Sequence, residues 1–335
     1  MTVHVVVPDA VDDPRRPSGG NVYDRRLVAG LAALGHEVRE HRVGVVDLGT
    51  VLARLPDGAP VLVDGLVAST TSALVEESRR LRVAVLLHMP GSGPAEPAVL
   101  RAVAAVVTTS GWARERVLEL GVPADRVHVA RPGVDPGPLV TGSADGTSLL
   151  CVGPLTPAKG YDDLVAALDL VRDLDWTCRC VGALDLAPGY VETLRARAGR
   201  IELTGPLSAA ELDEVRSASD LVLAPSHRES YGMALAEGLA RGLPAIVSEV
   251  GGHPEALGST DDGSLPGLLV PVGDPAALAR ALRAWLGDAR LRARWRAAAA
   301  QRRSSLGTWA ETAHVVAGVL NRIAPAVVLT GEGRT

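Results

Sequence analysis

The fold of this chain is decided by one stretch, residues 226–257, which reads Ser-His-Arg-Glu-Ser-Tyr-Gly-Met-Ala-Leu-Ala-Glu-Gly-Leu-Ala-Arg-Gly-Leu-Pro-Ala-Ile-Val-Ser-Glu-Val-Gly-Gly-His-Pro-Glu-Ala-Leu. The apolar run before it, residues 221–225, is short enough for a buried parallel strand. Residues 233–241 are strong helix formers, and Gly242 followed by Pro244 ends the helix. The stretch therefore predicts a strand, a loop and a helix, and then a second strand, loop and helix.

The loop before the first of these helices carries the groups of an anion site. A glycine at a helix start, here Gly232, leaves backbone N–H groups pointing outward, and the helix dipole adds positive potential. Glu229 lies just before the helix and Glu237 lies inside it. Carboxylates repel a phosphate but accept hydrogen bonds from vicinal hydroxyls. The pattern indicates a ligand with a phosphate in the middle and polyols at both ends, such as a nucleotide sugar; the alternative is two solvated surface glutamates.

The two glutamates and their neighbours form a combined motif. Glu-Ser-Tyr-Gly-Met at 229–233, the second glutamate Glu237, Gly-Leu-Pro at 242–244 and Gly-Gly-His-Pro-Glu at 251–255 together resemble the glutamate–seven residues–glutamate signature of retaining glycosyltransferases of family 4. The resemblance is strongest over residues 151–257 and looser in the N-terminal half. It implies an α/β protein of the GT-B fold, in which two Rossmann-like doubly wound domains face a central cleft.

The resemblance also implies roles for individual residues. Glu237 is expected to hold the ribose hydroxyls and Glu229 a hydroxyl of the sugar. Lys159 and the backbone amides at Gly232 and Met233 are expected to bind the leaving diphosphate. Further donor contacts are expected from residues in three loops, Gly19, Gly20, Gly205, Tyr231 and Ala234.

Composition and charge limit the function classes. A chain of 335 residues is long enough for two domains, and a net charge of −5 argues against a general nucleic-acid or anionic-membrane binder. Cys151, Cys178 and Cys180 lie in apolar strand-like runs, which favours buried free thiols in a cytoplasmic protein. The cysteines lack metal-type spacing, so we expect no metal and no cofactor. No apolar run approaches the ~20 residues that cross a bilayer, and the N-terminus reads as a strand, not as a signal peptide.

The N-terminal half predicts a parallel sheet. Apolar runs at 3–7, 37–43, 61–63, 83–87 and 104–108 alternate with helical or irregular segments. The first helix follows Gly19-Gly20 and is expected to bury Val22, Leu27, Leu31 and Leu34.

Ligands of such sheets bind beyond the carboxyl ends of the strands, where this sequence has three polar residues. Ser110 is expected to cap a helix. Asp64 is either a cap or an acceptor-facing group. His88 is implied by the resemblance to face the donor sugar, and a loop-bonded histidine is the alternative. Gly19-Gly20 matches the Gly-Gly of the family near the donor diphosphate and the acceptor; a flexible turn is the alternative.

The second half of the sequence has one basic residue that could bind a phosphate and lacks a second one that the family has. Lys159 lies in a strand-to-helix loop, where an ammonium can meet a diphosphate as a point charge. The family has an arginine where this chain has Pro154, and Arg228 is our suggestion for a spatial replacement. The loop that follows Gly205 is implied to lie near the nucleotide base.

We therefore predict a retaining glycosyltransferase that moves a hexose from a nucleoside-diphosphate sugar to a hydroxyl acceptor, with His88, Lys159 and Glu229 as catalytic residues. Residues 1–140 are expected to form the acceptor-side domain and 141–307 the nucleotide-sugar domain. Residues 308–325 should form a helix packing back on the first domain, with a loose tail beyond. One alternative is a non-catalytic nucleotide-sugar-binding relative, which Pro154 favours. The other is a nicotinamide-dependent dehydrogenase, whose glycine fingerprint is absent. The donor base, the sugar and the acceptor stay open.

Overall fold

The computed structural model describes residues 1–44 and 48–324, and each half of the chain contains a six-stranded parallel sheet. The predicted loose tail beyond residue 325 lies outside the described residues. Runs of Val, Leu and Ala form these strands because a parallel sheet is covered on both faces and needs apolar side chains on both. The GT-B prediction is thereby confirmed at the level of two doubly wound α/β units.

The first sheet has the strand order β2-β1-β3-β4-β5-β6. Its strands are β1 (Thr2–Pro8), β2 (Glu37–Val43), β3 (Pro60–Asp64), β4 (Arg82–Leu87), β5 (Ala105–Thr108) and β6 (Val127–Val129). The helices of this half are α1 (Gly19–Ala33), α2 (Leu48–Ala53), α3 (Gly65–Ala68), α4 (Ala73–Glu77), α5 (Glu96–Ala102) and α6 (Gly111–Glu119).

The second sheet has the strand order β12-β11-β10-β7-β8-β9. Its strands are β7 (Ser148–Val152), β8 (Thr177–Val181), β9 (Ile201–Gly205), β10 (Leu221–Ala224), β11 (Ala245–Ser248) and β12 (Gly267–Val270). The helices that follow are α7 (Tyr161–Asp169), α8 (Pro188–Arg197), α9 (Ala209–Ser217), α10 (Met233–Leu239), α11 (His253–Leu257), α12 (Pro275–Gly287), α13 (Ala289–Arg302) and α14 (Trp309–Ile323).

Helix α1 buries Leu27 and Leu31 as predicted, but it exposes the other two residues assigned to its apolar side. Val22 and Leu34 are 39% and 37% exposed, so assigning them to the core was wrong. The buried face is turned toward Tyr23, Asp24 and Leu27. The rotation brings a carboxylate into the interior, which matters for the site described below.

Helix α14 returns to the first sheet and packs beside α1. Its apolar residues share one core with α1 and the strands of the first sheet. The helices approach closely at Gly30, where a Cβ atom would lie 2.5 Å from the Cβ of Ala313. Trp309 packs edge-on against Tyr23, with ring centroids 5.5 Å apart.

Side-chain caps fix the starts of several helices, and the cap predicted at Ser110 is one of them. Ser110 accepts from the amide of Ala113 at the start of α6, and Ser208 forms a capping box with Glu211 at the start of α9. The segment between the two sheets, residues 131–147, has no regular structure. The buried carboxylate of Asp220 accepts from the backbone amide of Ser143 in this segment and from that of Ser148 at the start of β7.

Candidate active site

The loops that follow the carboxyl ends of both sheets meet at a cavity of about 650 Å³, a size typical of small-molecule sites. Segments after β1, β4 and β5 form one wall, and segments after β7, β9 and β10 form the other. All but one of the residues assigned to the site from the sequence line this cavity: Gly19, Gly20, His88, Lys159, Glu229, Tyr231, Gly232, Met233, Ala234 and Glu237.

Gly205 is the exception, because it ends β9 and does not line the cavity. Its φ of +81° turns the chain, and its carbonyl accepts from the amide of Gly182. The following residues, Pro206 and Leu207, line the cavity instead. The loop after Gly205 therefore borders the cavity while Gly205 itself serves the turn, and the placement of this loop near a nucleotide base stays a prediction.

Lys159 and Glu229 form an ion pair in the wall of the cavity. The ammonium Nζ lies 2.6 Å from Glu229 Oε2, and the glutamate side chain is 16% exposed. Burial alone would raise the pKa of Glu229, but the charge of Lys159 and its hydrogen bond hold it below its usual value. Glu229 is therefore an ionised acceptor at neutral pH.

His253 lies behind this pair as a neutral ring. Its burial lowers its pKa, and Nδ1 donates to the carbonyl of Ser248 at 2.9 Å. Nε2 is buried, lacks a hydrogen-bond partner and lies 3.9 Å from Glu229 Oε2.

Glycines let the turns around Glu229 pack against one another. Gly251 has a φ of +56°, and a Cβ atom there would lie 1.6 Å from the carbonyl oxygen of Glu229. The amide of Gly252 donates to that same carbonyl at 3.2 Å. At the start of α10, Gly232 has a φ of +107°, and a Cβ atom would lie 2.8 Å from the ring of His253. The Gly-Gly-His turn therefore supports the loop that carries Glu229.

Glu237 belongs to a charged network that the sequence did not reveal. Its carboxylate pairs with Arg216, a buried arginine that also bonds Asp213 at 3.1 Å. Arg241 donates to Asp213 at 2.6 Å and to the carbonyl of Glu237 at 3.2 Å. Burial raises the pKa of Glu237, and the two arginines oppose that rise. The sequence pattern of a capped helix predicts α9. Nothing in that pattern indicates that Arg216 points into the protein interior.

His88 forms a second buried cluster, in the opposite wall. Its Nε2 lies 2.9 Å from Asp24 Oδ1 and 3.3 Å from Asp64 Oδ2, and both aspartates are 3% exposed. Asp64 also caps α3, since its Oδ1 accepts from the amides of Leu66 and Val67. The sequence suggested Asp64 as a cap or a cleft residue, and it missed Asp24.

The atoms of this cluster lie within 4.8 Å of one another, close enough to share a metal ion, although we expected no metal. We describe the cluster as hydrogen-bonded, because 2.9 Å is the usual length of an N–H···O hydrogen bond. Burial lowers the pKa of His88, but the charge of Asp24 and hydrogen bonds to both aspartates raise it to about 10.

The suggested replacement for the missing arginine was wrong. Arg228 does not line the cavity; its guanidinium donates to the carbonyl of Pro90 at 3.3 Å, across to the first half of the chain. Another arginine, Arg26, does line the cavity and is paired there with Asp135.

Polar contacts tie the two walls together beside the cavity. The hydroxyls of Thr109 and Ser230 lie 2.7 Å apart, and the carboxylate of Glu255 accepts from the amide of Gly111 at 2.8 Å. Glu255 also pairs with Arg131. These contacts position the Glu229 loop opposite the end of β4. Over residues 1–44 and 48–324, no helix has the length and apolar character to cross a membrane.

Comparison with known proteins shows which family and which relatives the chain resembles. Residues 146–288 match the family described as Glycosyl transferases group 1. The chain is 30% identical over 253 residues to the D-inositol 3-phosphate glycosyltransferase of Jonesia denitrificans and 32% identical over 259 residues to that of Kineococcus radiotolerans. Each alignment covers 68% of this chain, which spans 58% and 59% of the respective relatives.

Solved structures show the same fold over the whole chain. Sucrose-phosphate synthase from Thermosynechococcus elongatus superposes with a TM-score of 0.77 at 20% identity, covering 96% of this chain and 99% of that one. HepE of Anabaena, solved in complex with UDP-glucose, superposes with a TM-score of 0.72 at 18% identity, covering 96% and 100%. The second half of the chain, residues 146–288, is thus similar to the group 1 glycosyl transferases, and 96% of the chain shares the fold of these solved structures, in agreement with the GT-B fold that its motifs predicted.

Proposed function

We propose that this protein is a retaining glycosyltransferase that transfers a hexose from a nucleoside-diphosphate sugar to a hydroxyl acceptor. The observation that supports this most strongly is that Lys159, Glu229, Glu237 and the Gly232 turn line one cavity. A cation and two carboxylates in one cavity match a ligand with a central diphosphate and polyols at both ends. A nicotinamide dinucleotide also has a diphosphate between two riboses, but the glycine fingerprint of the dehydrogenases is absent from this sequence.

Each part of the donor has a partner in this proposal. Glu237, oriented by Arg216, accepts from the ribose hydroxyls, and the loop after β9 contacts the base. Lys159 and the amides at Gly232 and Met233 bind the diphosphate. Glu229 accepts from a sugar hydroxyl. The UDP-glucose complex of HepE makes uridine the first base to test.

Transfer then proceeds at the face from which the diphosphate leaves. The bond between the anomeric carbon and the phosphate oxygen breaks, and the acceptor oxygen bonds to the same face of that carbon. The acceptor proton goes to the leaving phosphate. Because Lys159 is already in place, its charge needs little rearrangement as negative charge develops on the phosphate, which is preorganised electrostatic stabilisation.

The first half of the chain, residues 1–140, is proposed to select the acceptor. Its curated relatives are named for D-inositol 3-phosphate, so this compound belongs among the acceptors tested. A cytoplasmic location is part of the same proposal and is supported by the three buried free thiols.

A thermal-shift panel of UDP, GDP, ADP, dTDP and their common sugar conjugates tests the donor, because a ligand that binds the native state raises the melting temperature. We expect a shift with one base and a larger one with a single conjugate.

Turnover is then measured with D-inositol 3-phosphate and other polyols, and NMR of the product reports the anomeric configuration. The exposed Glu202→Gln variant serves as the surface control. A shift with NADH alone would support a dehydrogenase. Nucleotide-sugar binding without turnover on any acceptor would support the non-catalytic relative, and an inverted product would contradict retention.

A further inference from the structure

The His88 cluster has a geometry that its predicted role does not account for. A histidine that only contacts a sugar needs one partner to orient its ring, whereas Nε2 of His88 faces two carboxylates. Within the described residues Nδ1 has no hydrogen-bond partner, and it is not among the buried unpartnered atoms. Since the ring lines the cavity, Nδ1 is the nitrogen available to a ligand.

The position of the ring relates it to the donor side of the cavity. A Cβ atom on Gly20 would lie 3.2 Å from the ring of His88, and one on Gly19 would lie 3.0 Å from the sulfur of Met233. The Gly19-Gly20 start of α1 therefore lies between His88 and the start of α10. Behind the ring, Thr109 links the backbone of His88 to Ser230, the neighbour of Glu229.

Charge balance explains why two aspartates surround one histidine. Two carboxylates that are 3% exposed need a buried cation nearby. An imidazolium supplies one positive charge and two N–H donors, of which one is consumed by the aspartates. The other stays directed at the cavity. The second Asp24 oxygen is buried without a partner, and His88 is the only positive group that pairs with either aspartate among the described residues, which favours the doubly protonated ring.

We propose that Asp24 and Asp64 are positioning residues that keep His88 doubly protonated, so that its Nδ1–H presents a fixed positive charge to a donor phosphate. This rests on the proposed function for the identity of the ligand. It also accounts for a departure from the family pattern, because the chain has Pro154 where an arginine is expected, and Arg228 points elsewhere. The N-terminal wall then supplies a cation opposite Lys159.

The groups around the ring are consistent with this charge state. Burial opposes protonation of His88, and Asp24 and Asp64 outweigh it, with the pKa of His88 raised to about 10. Tyr23 packs edge-on at 5.2 Å, and its burial raises its own pKa, so it stays neutral. Burial also raises the pKa of Asp24, while the charge of His88 opposes that rise.

The charge state is tested without any ligand by two-bond ¹H–¹⁵N correlation spectra of ¹⁵N-labelled protein. His88→Gln identifies the signal among the eight histidines. We expect the imidazolium pattern to persist to about pH 9, well above the ordinary histidine value. Asp24→Asn and Asp64→Asn should each lower the midpoint by about one unit or more. Asp64→Asn keeps the cap of α3, since asparagine caps as well as aspartate. A neutral ring at pH 7, or a ring perturbed by stoichiometric Zn²⁺, would overturn the proposal.

The role toward phosphate is tested by calorimetric titration with UDP. His88→Gln should weaken binding about tenfold, the size expected for one hydrogen bond to a charged group. Adding Pro154→Arg to that variant should restore much of the loss. Asp24→Asn should weaken binding only above its lowered midpoint, a pH profile that a purely structural defect would not give. Unchanged UDP affinity in His88→Gln would overturn the phosphate role. Failure of the wild type to bind any nucleoside diphosphate would instead overturn the proposed function, while the spectra would still decide the charge state.

Discussion

The ammonium of Lys159 lies 2.6 Å from the carboxylate of Glu229, so the two groups assigned to different parts of the donor bind each other. Both side chains are mostly buried, with exposed fractions of 26% and 16%. A diphosphate that binds Lys159 therefore competes with an internal carboxylate. Glu229 both orients the lysine and weakens its attraction for the ligand.

Glu229→Gln should separate binding from transfer. The glutamine keeps the shape but not the charge, so Lys159 is released, and we expect UDP to bind several-fold more tightly. Transfer should fall by about 100-fold, the scale seen when one preorganised polar group is removed from an active site. Calorimetry with UDP and initial rates with the identified donor measure the two effects, and Glu202→Gln is the control. Weaker UDP binding in Glu229→Gln would show that the pair supports phosphate binding instead.

Glu237→Gln should reduce the preference for ribose. A hydrogen bond to a carboxylate contributes about 1.5–3 kcal/mol, so the wild type should bind UDP at least about tenfold more tightly than 2′-deoxy-UDP. Glutamine retains the space beside Arg216 while removing the charge. The variant should therefore show a much smaller ratio between the two nucleotides.

Both affinities are measured by calorimetry in each protein. Because burial raises the pKa of Glu237, the wild-type preference should also increase as pH rises and the carboxylate ionises. An equal ratio in wild type and variant would place the ribose elsewhere.

Gly251→Ala should disable the site through the backbone. The new Cβ atom would lie 1.6 Å from the Glu229 carbonyl oxygen, so the loop must move. We expect a loss of about 3 kcal/mol or more in unfolding free energy, together with loss of transfer. Gly199→Ala is a matched control, because its φ of +53° is similar to the +56° of Gly251 and nothing lies within 4 Å. The Gly199→Ala variant should lose about 1 kcal/mol of unfolding free energy and should retain transfer. Stability is measured by thermal unfolding and transfer by initial rates. Equal losses of stability and of transfer in the two variants would contradict the steric explanation.

The sequence predicted those features whose signal is local. Buried parallel strands are short apolar runs, and the anion loop carries Glu229, Gly232 and Glu237 within a single motif. Features that depend on distant partners were missed or misplaced. Asp24 looks like a surface helix residue until its partner His88, 64 positions away, is brought against it. The place of Arg216 in the site likewise depends on its ion pair with Glu237, 21 positions away.

The wrong assignment of Val22 and Leu34 to the buried side of α1 has the same physical cause. A helix with scattered apolar residues fits more than one buried face. The choice here is made by packing against α14, which approaches α1 at Gly30. Arg228 was wrongly suggested as a phosphate-binding residue because the sequence gives the charge of a side chain but not the direction in which it points. That direction depends here on Pro90, in the opposite wall of the cavity.

The His88 cluster predicts how stability depends on pH. The folded-state pKa of about 10 is above the unfolded value of 6.5, so the folded state holds a proton that the unfolded state loses first. The stabilisation by His88 is therefore fully present below pH 6.5 and is lost as pH rises toward 10. Over this window the loss should approach about 1 kcal/mol per pH unit.

The measurement compares the melting temperatures of wild type and His88→Gln across that window. Wild type should be clearly more stable near pH 6, and the difference should shrink steadily as pH rises, because only the wild type loses the bound proton. Comparing the difference cancels the titration of groups that do not interact with His88. A difference that stays constant with pH would mean that His88 is neutral in the folded protein, and its two aspartates would then need another cation.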